Sequence, residues 1–228
     1  MSNIDSQKYT YDYARPALTA DCVILALDRS SVNVLLVRRK NEPFAGSWAF
    51  PGGFVEEGES VEQCAVRELQ EETSLTLVSL RQFHTFSAAG RDPRGWTVST
   101  AFLGCICRNK MTEIMGGDDA AEARWFPIDA LPPLAFDHQE IFRVALEAGR
   151  VDMDKTDIIF DFLNQIFTFD DVDVLFTALL GRDYDPFVWF ENMQRLGLVE
   201  VHNEDIPSYK FNRKLFAEFE KSLVLHLL

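Results

Sequence analysis

The sequence predicts an α/β fold with helices on both faces of a mixed sheet, followed by a smaller α+β unit. Up to residue 150, apolar runs of strand character alternate with helical patterns, and a pair of glycines leads towards an acidic amphipathic helix. From Val151 onward, three helical patterns precede two short strands that can pair as a hairpin. We therefore expect two domains, at residues 1–150 and 151–228.

Five apolar runs bounded by turn residues predict the strands of the first unit. They lie at residues 18–27, 32–38, 77–86, 97–107 and 123–126. Residues 48–50 lead into a turn expected at 51–53, and an apolar stripe predicts a helix at 138–147. Strands with a helix on each face form an α/β/α sandwich.

The segment at residues 53–75 combines seven acidic residues with one arginine around a single predicted helix. Gly52 and Gly53 favour a turn that brings backbone carbonyls close to whatever lies above them. Ser60 precedes Gln63 by the spacing of a capping box, and apolar residues follow at helical period. This pattern predicts a helix from about residue 61 to residue 73.

Three glutamates share one face of that helix. Glu68, Glu71 and Glu72 stand at i, i+3 and i+4, which places their Cβ atoms roughly 5–6 Å apart. Such like charges repel, and a hard divalent cation with oxygen ligands is the usual compensation. Arg67 can pair with Glu71 at i+4 and orient it. The alternative is a solvated helix face, the commoner role for an arbitrary group of glutamates.

The whole segment resembles the Nudix box, Gx5Ex7REUxEExGU, in which U is an aliphatic residue. The matching positions are Gly53, Glu59, Arg67, Glu68, Leu69, Glu71, Glu72 and Leu75. One fixed position departs, because Ser74 stands where the box has its last glycine. A left-handed residue commonly ends a helix at this point, and there serine would cost about 1–2 kcal/mol unless the helix ends differently. Ser74 supplies no required carboxylate, so chelation is expected to be retained.

The resemblance implies a hydrolase that cleaves a pyrophosphate linked to a nucleoside, with Mg²⁺ or Mn²⁺ as cofactor. Glu68, Glu71 and Glu72 would bind the metal together with a backbone carbonyl near Gly52 or Gly53. Arg67 and Glu59 would hold the loop and the helix in register.

The attacking water also needs a base, from the box or from another loop. The acidic loop at 116–122 precedes Arg124, Trp125 and Phe126, and some family members use a loop acid at this place, so Glu122 is a candidate. Asp118 and Asp119 in the same loop are equally consistent with turn residues.

Four further segments resemble the ADP-ribose pyrophosphatase branch of the Nudix family. They are YARP at 13–16, RDPRGW at 91–96, GDDAAEARWF at 117–126 and LAFDH at 134–138. Together with the box they cover residues 13–150. The resemblance implies ADP-ribose as substrate, with AMP and ribose 5-phosphate as products. The same branch includes the Nudix domains of regulators of NAD metabolism.

The net charge of −14 means that an anionic substrate must be bound through metal ions and local arginines. Arg38 and Arg39 close a predicted strand, and Arg91 and Arg94 lie in the RDPRGW loop. We expect these four arginines to contact the substrate, although a hairpin turn with solvated charges would look the same. Stacking platforms for adenine are available among the aromatic residues, which more often belong to the core. The candidates are Phe44, Trp48 and Trp96.

The second unit resembles a winged-helix domain, as found after the Nudix domain in the NAD-related regulators. Helices are expected at 157–166, from Thr168 to Gly181 and from 185 to 196, followed by strands at 198–202 and 208–211. In a DNA-binding domain of this kind the third helix would enter the major groove, yet the only basic residue of this helix is Arg195.

Residues 151–228 hold seven Lys and Arg against fifteen Asp and Glu, a charge of −8, which disfavours DNA. Lys210, Arg213 and Lys214 leave DNA binding open. Regulators of this kind can also lose the box glutamates, which are intact here. The prediction is therefore an enzyme whose apolar C-terminal surface forms a homodimer or covers the active site.

Composition predicts a cytoplasmic protein. No apolar run approaches the roughly 18 residues that a membrane span requires, and the first 15 residues lack the pattern of a secretory signal. Four cysteines show no zinc-site spacing, and we expect them to be buried free thiols in a reducing compartment.

Overall fold

The computed structural model describes residues 11–76, 79–113, 120–153, 158–181 and 184–218 of the chain. Seven strands of the described residues form one mixed sheet. They are β1 (Ala17–Leu27), β2 (Val32–Arg39), β3 (Trp48–Ala49), β4 (Gly52–Phe54), β5 (Leu80–Phe86), β6 (Thr97–Ile106) and β7 (Ala120–Pro127). The order is β3-β2-β1-β6-β5, with β4 beside β1 and β7 beside β2. The β1–β6 pair is parallel and the other pairs are antiparallel.

The parallel pair is the centre of the sheet, and its side chains are buried on both faces from Thr19 to Leu27. This burial explains why β1 reads as a nearly continuous apolar run instead of an alternating one. Asp21 interrupts the run and is only 8% exposed. A buried carboxylate in a central strand needs specific partners.

The turn expected at residues 51–53 is wrong in part, because Gly52–Phe54 forms β4. Gly52 lies opposite Asp21 and Gly53 opposite Ala20 in an antiparallel pairing with β1. A Cβ atom on Gly52 would lie 2.2 Å from the carbonyl oxygen of Ala20. Gly52 is therefore needed for close approach of two backbones, a role that a strand allows as well as a turn.

Helices cover both faces, as the sandwich prediction requires. On one face, α1 (Val61–Thr73) packs Cys64, Ala65 and Leu69 against Ala20, Cys22 and Phe102, and we call this cluster the α1-side core. On the other face, α2 (His138–Asp152) packs Ile141, Phe142 and Ala145 against Val23, Leu25 and Leu103 in the α2-side core. A 3₁₀ helix, Arg108–Glu113, follows β6.

Three elements of the first unit have a bound that differs from the sequence prediction by three residues or more. Strand β5 begins at Leu80, and residues 77–78 lie outside the described part. Strand β7 begins at Ala120, earlier than expected, because it pairs with β2 along most of that strand's length. Helix α2 continues past 147 to Asp152, so the proposed domain boundary at 150 falls in its last turn.

The C-terminal unit is α+β. Its elements are α3 (Ile158–Phe162), β8 (Ile166–Phe167), α4 (Phe169–Leu180), α5 (Pro186–Arg195), β9 (Val199–Asn203) and β10 (Ser208–Phe211). The expected capping box of Thr168 and Asp171 starts α4, Asp185 caps α5, and the hairpin β9–β10 is present. The helix expected at 157–166 is wrong in its second half, because Ile166–Phe167 pairs with β10 as a third strand. Short apolar runs do not distinguish helix from strand by periodicity.

One apolar cluster joins the two units. The α2-side core continues from the sheet through α2 into Ile159, Phe162, Phe167, Phe176 and Trp189. The C-terminal unit therefore packs against the sheet on the face opposite α1. Among the described helices, none is long and apolar enough to cross a membrane.

The cysteines are free thiols. Cys22, Cys64 and Cys105 are buried as expected, whereas Cys107 is partly exposed because β6 ends at Ile106, one residue before it.

Candidate active site

Helix α1 begins and ends by local hydrogen bonds. At its start, Ser60 Oγ accepts from Gln63 N at 3.3 Å while Gln63 Oε1 accepts from Ser60 N at 2.7 Å. At its end, Ser74 is left-handed with φ of 64°, and its N–H donates to Gln70 O at 2.8 Å. Serine thus adopts the conformation for which the box has glycine, so the strain considered from the sequence is present.

Arg67 connects the helix to the loop before it. Its guanidinium donates to both carboxylate oxygens of Glu59, at 3.1 and 2.7 Å, and to Phe54 O at 3.1 Å. Its Nη1 lies 2.8 Å from Glu68 Oε1 and 3.2 Å from Glu71 Oε2. Hydrogen bonds from Arg67 and from the backbone of Glu56 lower the pKa of Glu59 to about 2. Hydrogen bonds with Glu59 and Glu68 raise the pKa of Arg67 in turn.

Two of the three predicted metal ligands line a cleft of about 310 Å³ together with Gly52 and Gly53. Glu72 is 9% exposed, and its Oε2 accepts from Gly52 N at 3.0 Å. A Cβ atom on Gly53 would lie 2.1 Å from Glu68 Oε1, so only glycine lets this carboxylate approach the backbone. Glu71 is 58% exposed at the outer edge of the helix and is not among the described residues that line this cleft.

The donor set suits a hard divalent cation. Within the described ranges, no three His, Cys, Asp or Glu side chains are grouped closely enough to hold a metal ion. Instead, the Nη1 atom of Arg67 bridges Glu68 and Glu71. The available ligands are carboxylate and backbone oxygens, which Mg²⁺ and Mn²⁺ prefer. Gly53 lets the Glu68 carboxylate lie close to the backbone, and this close approach of oxygen atoms fits a metal site.

Basic residues line the same cleft, and we call the part that they form its basic wall. Arg39 and Arg94 line it from the end of β2 and from the loop before β6. Arg39 Nε donates to Pro43 O at 2.9 Å, and Arg94 Nη2 lies 2.7 Å from Asp92 Oδ2. Burial and the charge of Arg94 lower the pKa of Arg39. Two of the four predicted substrate arginines therefore line the same cleft as Glu68 and Glu72.

Arg38 and Arg91 lie elsewhere. Arg38 Nε donates to Gly46 O at 3.1 Å, and Arg38 does not line the cleft among its described residues. Arg91 is 5% exposed and binds both oxygens of Asp137, at 2.9 and 2.7 Å. Arg91 lines an adjoining pocket of about 70 Å³ that shares Arg39 and Arg94 with the cleft, and its contact with substrate stays a prediction.

None of the three predicted stacking aromatics is among the described residues that line the cleft. Trp48 packs edge-on against Phe126, with ring centroids 4.7 Å apart. Trp96 is 57% exposed at the start of β6, and Phe44 lies edge-on to Phe136 at 4.8 Å. Of the described aromatics, Phe50 and Phe54 line the cleft itself, and sequence reasoning had proposed neither.

Glu122 lies on the other face of the sheet. It pairs with Arg124, and its strand neighbour Phe126 packs into the α2-side core, whereas Ala123 and Trp125 face the α1-side core. The structure does not bring Glu122 to the box glutamates. Its role as general base stays a prediction, and its position favours a base from the box. Asp118 and Asp119 lie outside the described residues.

A buried polar network behind the cleft was missed. Ser99 Oγ donates to Asp21 Oδ2, and His138 Nε2 lies 3.6 Å from Asp21 Oδ1. His138 Nδ1 accepts from Phe50 N at 2.9 Å, and burial lowers the pKa of His138, so the neutral ring holds its proton on Nε2. The network fixes the backbone two residues before Gly52. Its sequence signal was an aspartate within an apolar strand.

Known proteins match both the first unit and the whole chain. The family model for the NUDIX domain matches residues 15–145. An ADP-ribose pyrophosphatase of Methanocaldococcus jannaschii is 42% identical over 139 residues, covering 61% of this chain and 78% of that protein. The ADPR responsive transcriptional repressor NtrR of Acinetobacter baylyi is 29% identical over 193 residues, covering 83% of this chain and 76% of the repressor.

A solved structure is similar to this chain over most of its length. The MutT/nudix family protein of Enterococcus faecalis superposes with a TM-score of 0.76 at 30% identity, covering 90% of each chain. The family match spans more than half of this chain and contains the box, the cleft and the arginines that line it. The chain therefore belongs to the Nudix family.

Proposed function

We propose that this protein hydrolyses ADP-ribose to AMP and ribose 5-phosphate. The observation that carries the proposal is the pairing of Glu68 and Glu72 on one wall of the cleft with Arg39 and Arg94 on the other. A diphosphate is anionic on both of its phosphate groups, so one side can be neutralised by metal ions and the other by guanidiniums. An acidic protein that lacked either wall would repel it.

We propose Mg²⁺ or Mn²⁺ as cofactor, held by Glu68, Glu71, Glu72 and a backbone carbonyl of Gly52. When bound, the metal neutralises diphosphate oxygens and increases the acidity of water. Glu71 would exchange its contact with Arg67 for the ion, while Arg67 would stay fixed by Glu59. The N–H of Gly52 holds Glu72 in the cleft, where a carboxylate not occupied by metal can take a proton from water.

Two relatives support ADP-ribose as the ligand. One is named for its hydrolysis and the other for its response to it, although only the second extends over most of the C-terminal unit. A site that binds the compound is thus common to both, and intact metal ligands favour turnover. Phe54 at the cleft offers a partly exposed aromatic face on which adenine can stack.

Turnover assays test the proposal directly. Purified protein is incubated with ADP-ribose, NADH, diadenosine polyphosphates and oxidised nucleotides, with Mg²⁺, with Mn²⁺ or with chelator. We expect metal-dependent release of AMP and ribose 5-phosphate, fastest from ADP-ribose. Absence of metal-dependent turnover with every compound would end the enzyme hypothesis.

The second candidate is an ADP-ribose-responsive regulator with a winged-helix arrangement at residues 151–228. The extent of the repressor's similarity favours it. The surface of α5 does not, because its exposed residues include Phe187, Val188 and Glu191 with Arg195 as the basic one. Salt-dependent, ligand-sensitive binding to the gene's own upstream DNA would support the regulator, and failure to retain any duplex at low salt would exclude it.

We also propose that the protein forms a homodimer in the cytoplasm. Exposed apolar residues on the C-terminal unit, among them Phe187, Val188, Val201 and Ile206, supply an apolar surface for self-association. Four free thiols suit a reducing compartment. Light scattering of the purified protein tests the dimer, and a monomeric mass at micromolar concentration would contradict it.

A further inference from the structure

The basic wall of the cleft is built as an alternating stack of rings and guanidiniums. The Cζ atom of Arg94 lies 4.7 Å from the ring centroid of Phe54 and 5.3 Å from that of Phe136. On Phe136, the Cζ atom of Arg39 lies 4.8 Å from the same centroid. Phe136 is therefore the one member of the stack that contacts both arginines. Each distance is within the range of a cation–π interaction.

The backbone of Phe136 is strained. Its φ is 53°, a left-handed value that is an outlier for a bulky side chain. Such strain costs of the order of 1–3 kcal/mol and concentrates at functional sites. We therefore expect the ring of Phe136 to have a role that compensates for this strain.

Its neighbours impose that position. Ala135 N donates to Trp48 O at 2.8 Å, and His138 N donates to Ala135 O at 3.1 Å. Arg91 holds Asp137 by two hydrogen bonds. Phe44, also left-handed, packs edge-on against Phe136 at 4.8 Å. The segment is fixed on both sides of the ring, so the ring cannot follow a movement of the arginines.

The two guanidiniums next to this ring repel each other. Asp92 compensates Arg94, while Arg39 is bonded to the carbonyl oxygens of Pro43 and Asn41. A pair of cations held close together in a cleft is balanced when an anion with two charged groups lies in front of it. The carboxylates of Glu68 and Glu72 in the same cleft are reserved for metal under the proposed function.

We propose that Phe136 is a positioning residue that sets the spacing of Arg39 and Arg94 for the two phosphate groups of a diphosphate. The inference rests on the proposed function of the cleft. Phe136 acts through the arginines, and its ring supplies a rigid face for each of them. Loss of that face leaves both arginines present but frees them to separate.

Kinetics of Phe136→Leu test the proposal. We expect KM for ADP-ribose to rise about tenfold, equivalent to about 1.4 kcal/mol, with kcat changed less than threefold. Phe136→Tyr keeps the ring and should restore KM to within about twofold of wild type. Phe136→Met keeps side-chain volume without a π-face and should behave as Phe136→Leu does. Phe187→Leu removes an exposed ring from α5 and is the matched control.

A double-mutant cycle separates positioning from general packing. In an Arg39→Gln, Arg94→Gln background, Phe136→Leu should raise KM less than twofold, because the groups it positions are gone. An equal rise in both backgrounds overturns the proposal, as does an unchanged KM in Phe136→Leu. Thermal melting of each variant identifies any that fails to fold. If Phe136→Leu does not fold, Phe136→Met replaces it in the cycle.

Binding of inorganic pyrophosphate, measured by calorimetry without turnover, separates this inference from the proposed function. If wild type binds pyrophosphate and Phe136→Leu binds it about tenfold more weakly, the inference stands even if ADP-ribose is not a substrate. If wild type hydrolyses ADP-ribose and Phe136→Leu leaves both KM and pyrophosphate affinity unchanged, the inference fails and the function stands. No pyrophosphate binding by wild type overturns the inference.

Discussion

The two walls of the cleft are built in different ways. The acidic wall is largely local in sequence, since Arg67 holds Glu59, Glu68 and Glu71 within a single helix and the loop before it, and Glu72 on the same helix accepts from Gly52 N. The basic wall is assembled from the end of β2, the loop before β6 and the segment before α2. The residues of the acidic wall can therefore be identified from their spacing in the sequence, whereas those of the basic wall come together only in the folded protein. The charge contacts differ as well, because Arg67 pairs with three glutamates on the acidic wall, whereas on the basic wall Arg94 pairs with Asp92 and Arg39 donates to backbone carbonyls.

The largest predicted effect concerns the acidic wall. Glu72→Gln should lower kcat by about 10³, since one metal ligand accounts for several kcal/mol of transition-state stabilisation. The amide oxygen of glutamine can still accept from Gly52 N, so the fold should persist. Steady-state hydrolysis of ADP-ribose over a Mg²⁺ titration measures the loss.

Glu62→Gln on the same helix is the matched control, because Glu62 is exposed in the first turn of α1 and does not line the cleft among its described residues. It should retain wild-type kcat. A Glu72→Gln enzyme with wild-type turnover at saturating Mg²⁺ would show that the buried glutamate is structural only.

On the basic wall, Arg39→Gln should raise KM by about tenfold to a hundredfold with a smaller change in kcat, because a guanidinium–phosphate contact forms with the substrate already in the ground state. Arg38→Gln is the informative comparison. The guanidinium of Arg38 donates to Gly46 O, and Arg38 is not among the described residues that line the cleft. KM should therefore change less than threefold. Initial rates against ADP-ribose concentration decide, and equal effects at both positions would restore the sequence prediction that both contact substrate.

The difference between the walls also explains what could be read from the sequence. The bounds of α1, its capping box and the Arg67–Glu71 pair followed from spacing alone. The alternation of strands and helices in the sequence predicted the α/β/α sandwich. It did not predict β4, because Gly52 pairs with Asp21 of β1, 31 residues away in the sequence. Short range patterns carry no information on such pairings.

Four arginines were predicted to contact the substrate, and two of them, Arg39 and Arg94, line the cleft. Nothing in the local sequence separates Arg38 from Arg39, since strand alternation sends neighbours to opposite faces and only the completed sheet assigns the faces. Phe136 and His138 belong to the LAFDH segment that the sequence analysis identified, but the sequence predicted no role for either residue. Their roles depend on Arg39, Arg94 and Phe50, which are distant in sequence.

A smaller effect is expected from the contact that joins the loop to α1. Glu59 has a folded-state pKa of about 2 against an ordinary value of 4.5, so its ionised form stabilises the fold above pH 4.5 and loses that contribution as pH falls towards 2. Glu59→Gln should therefore be less stable than wild type at pH 7, and the difference should shrink below pH 4.5. Urea unfolding at pH 7, 5, 4 and 3 measures it. A difference that is constant with pH would assign the loss to packing instead of charge.

The smallest predicted effect lies at the end of the acidic wall. Ser74 has φ of 64°, and glycine adopts this conformation without the Cβ penalty, so Ser74→Gly should stabilise the protein by about 1 kcal/mol, or roughly 2–4 °C in Tm. Ser74→Ala keeps the Cβ atom and should gain nothing, which separates backbone relief from loss of the hydroxyl. The position of the metal glutamates is set by Arg67 and Gly52, not by the cap, so kcat should be unchanged. A Ser74→Gly enzyme that melts higher but turns over several-fold more slowly would show that the strain belongs to the site, and that the acidic wall is less local than its contacts indicate.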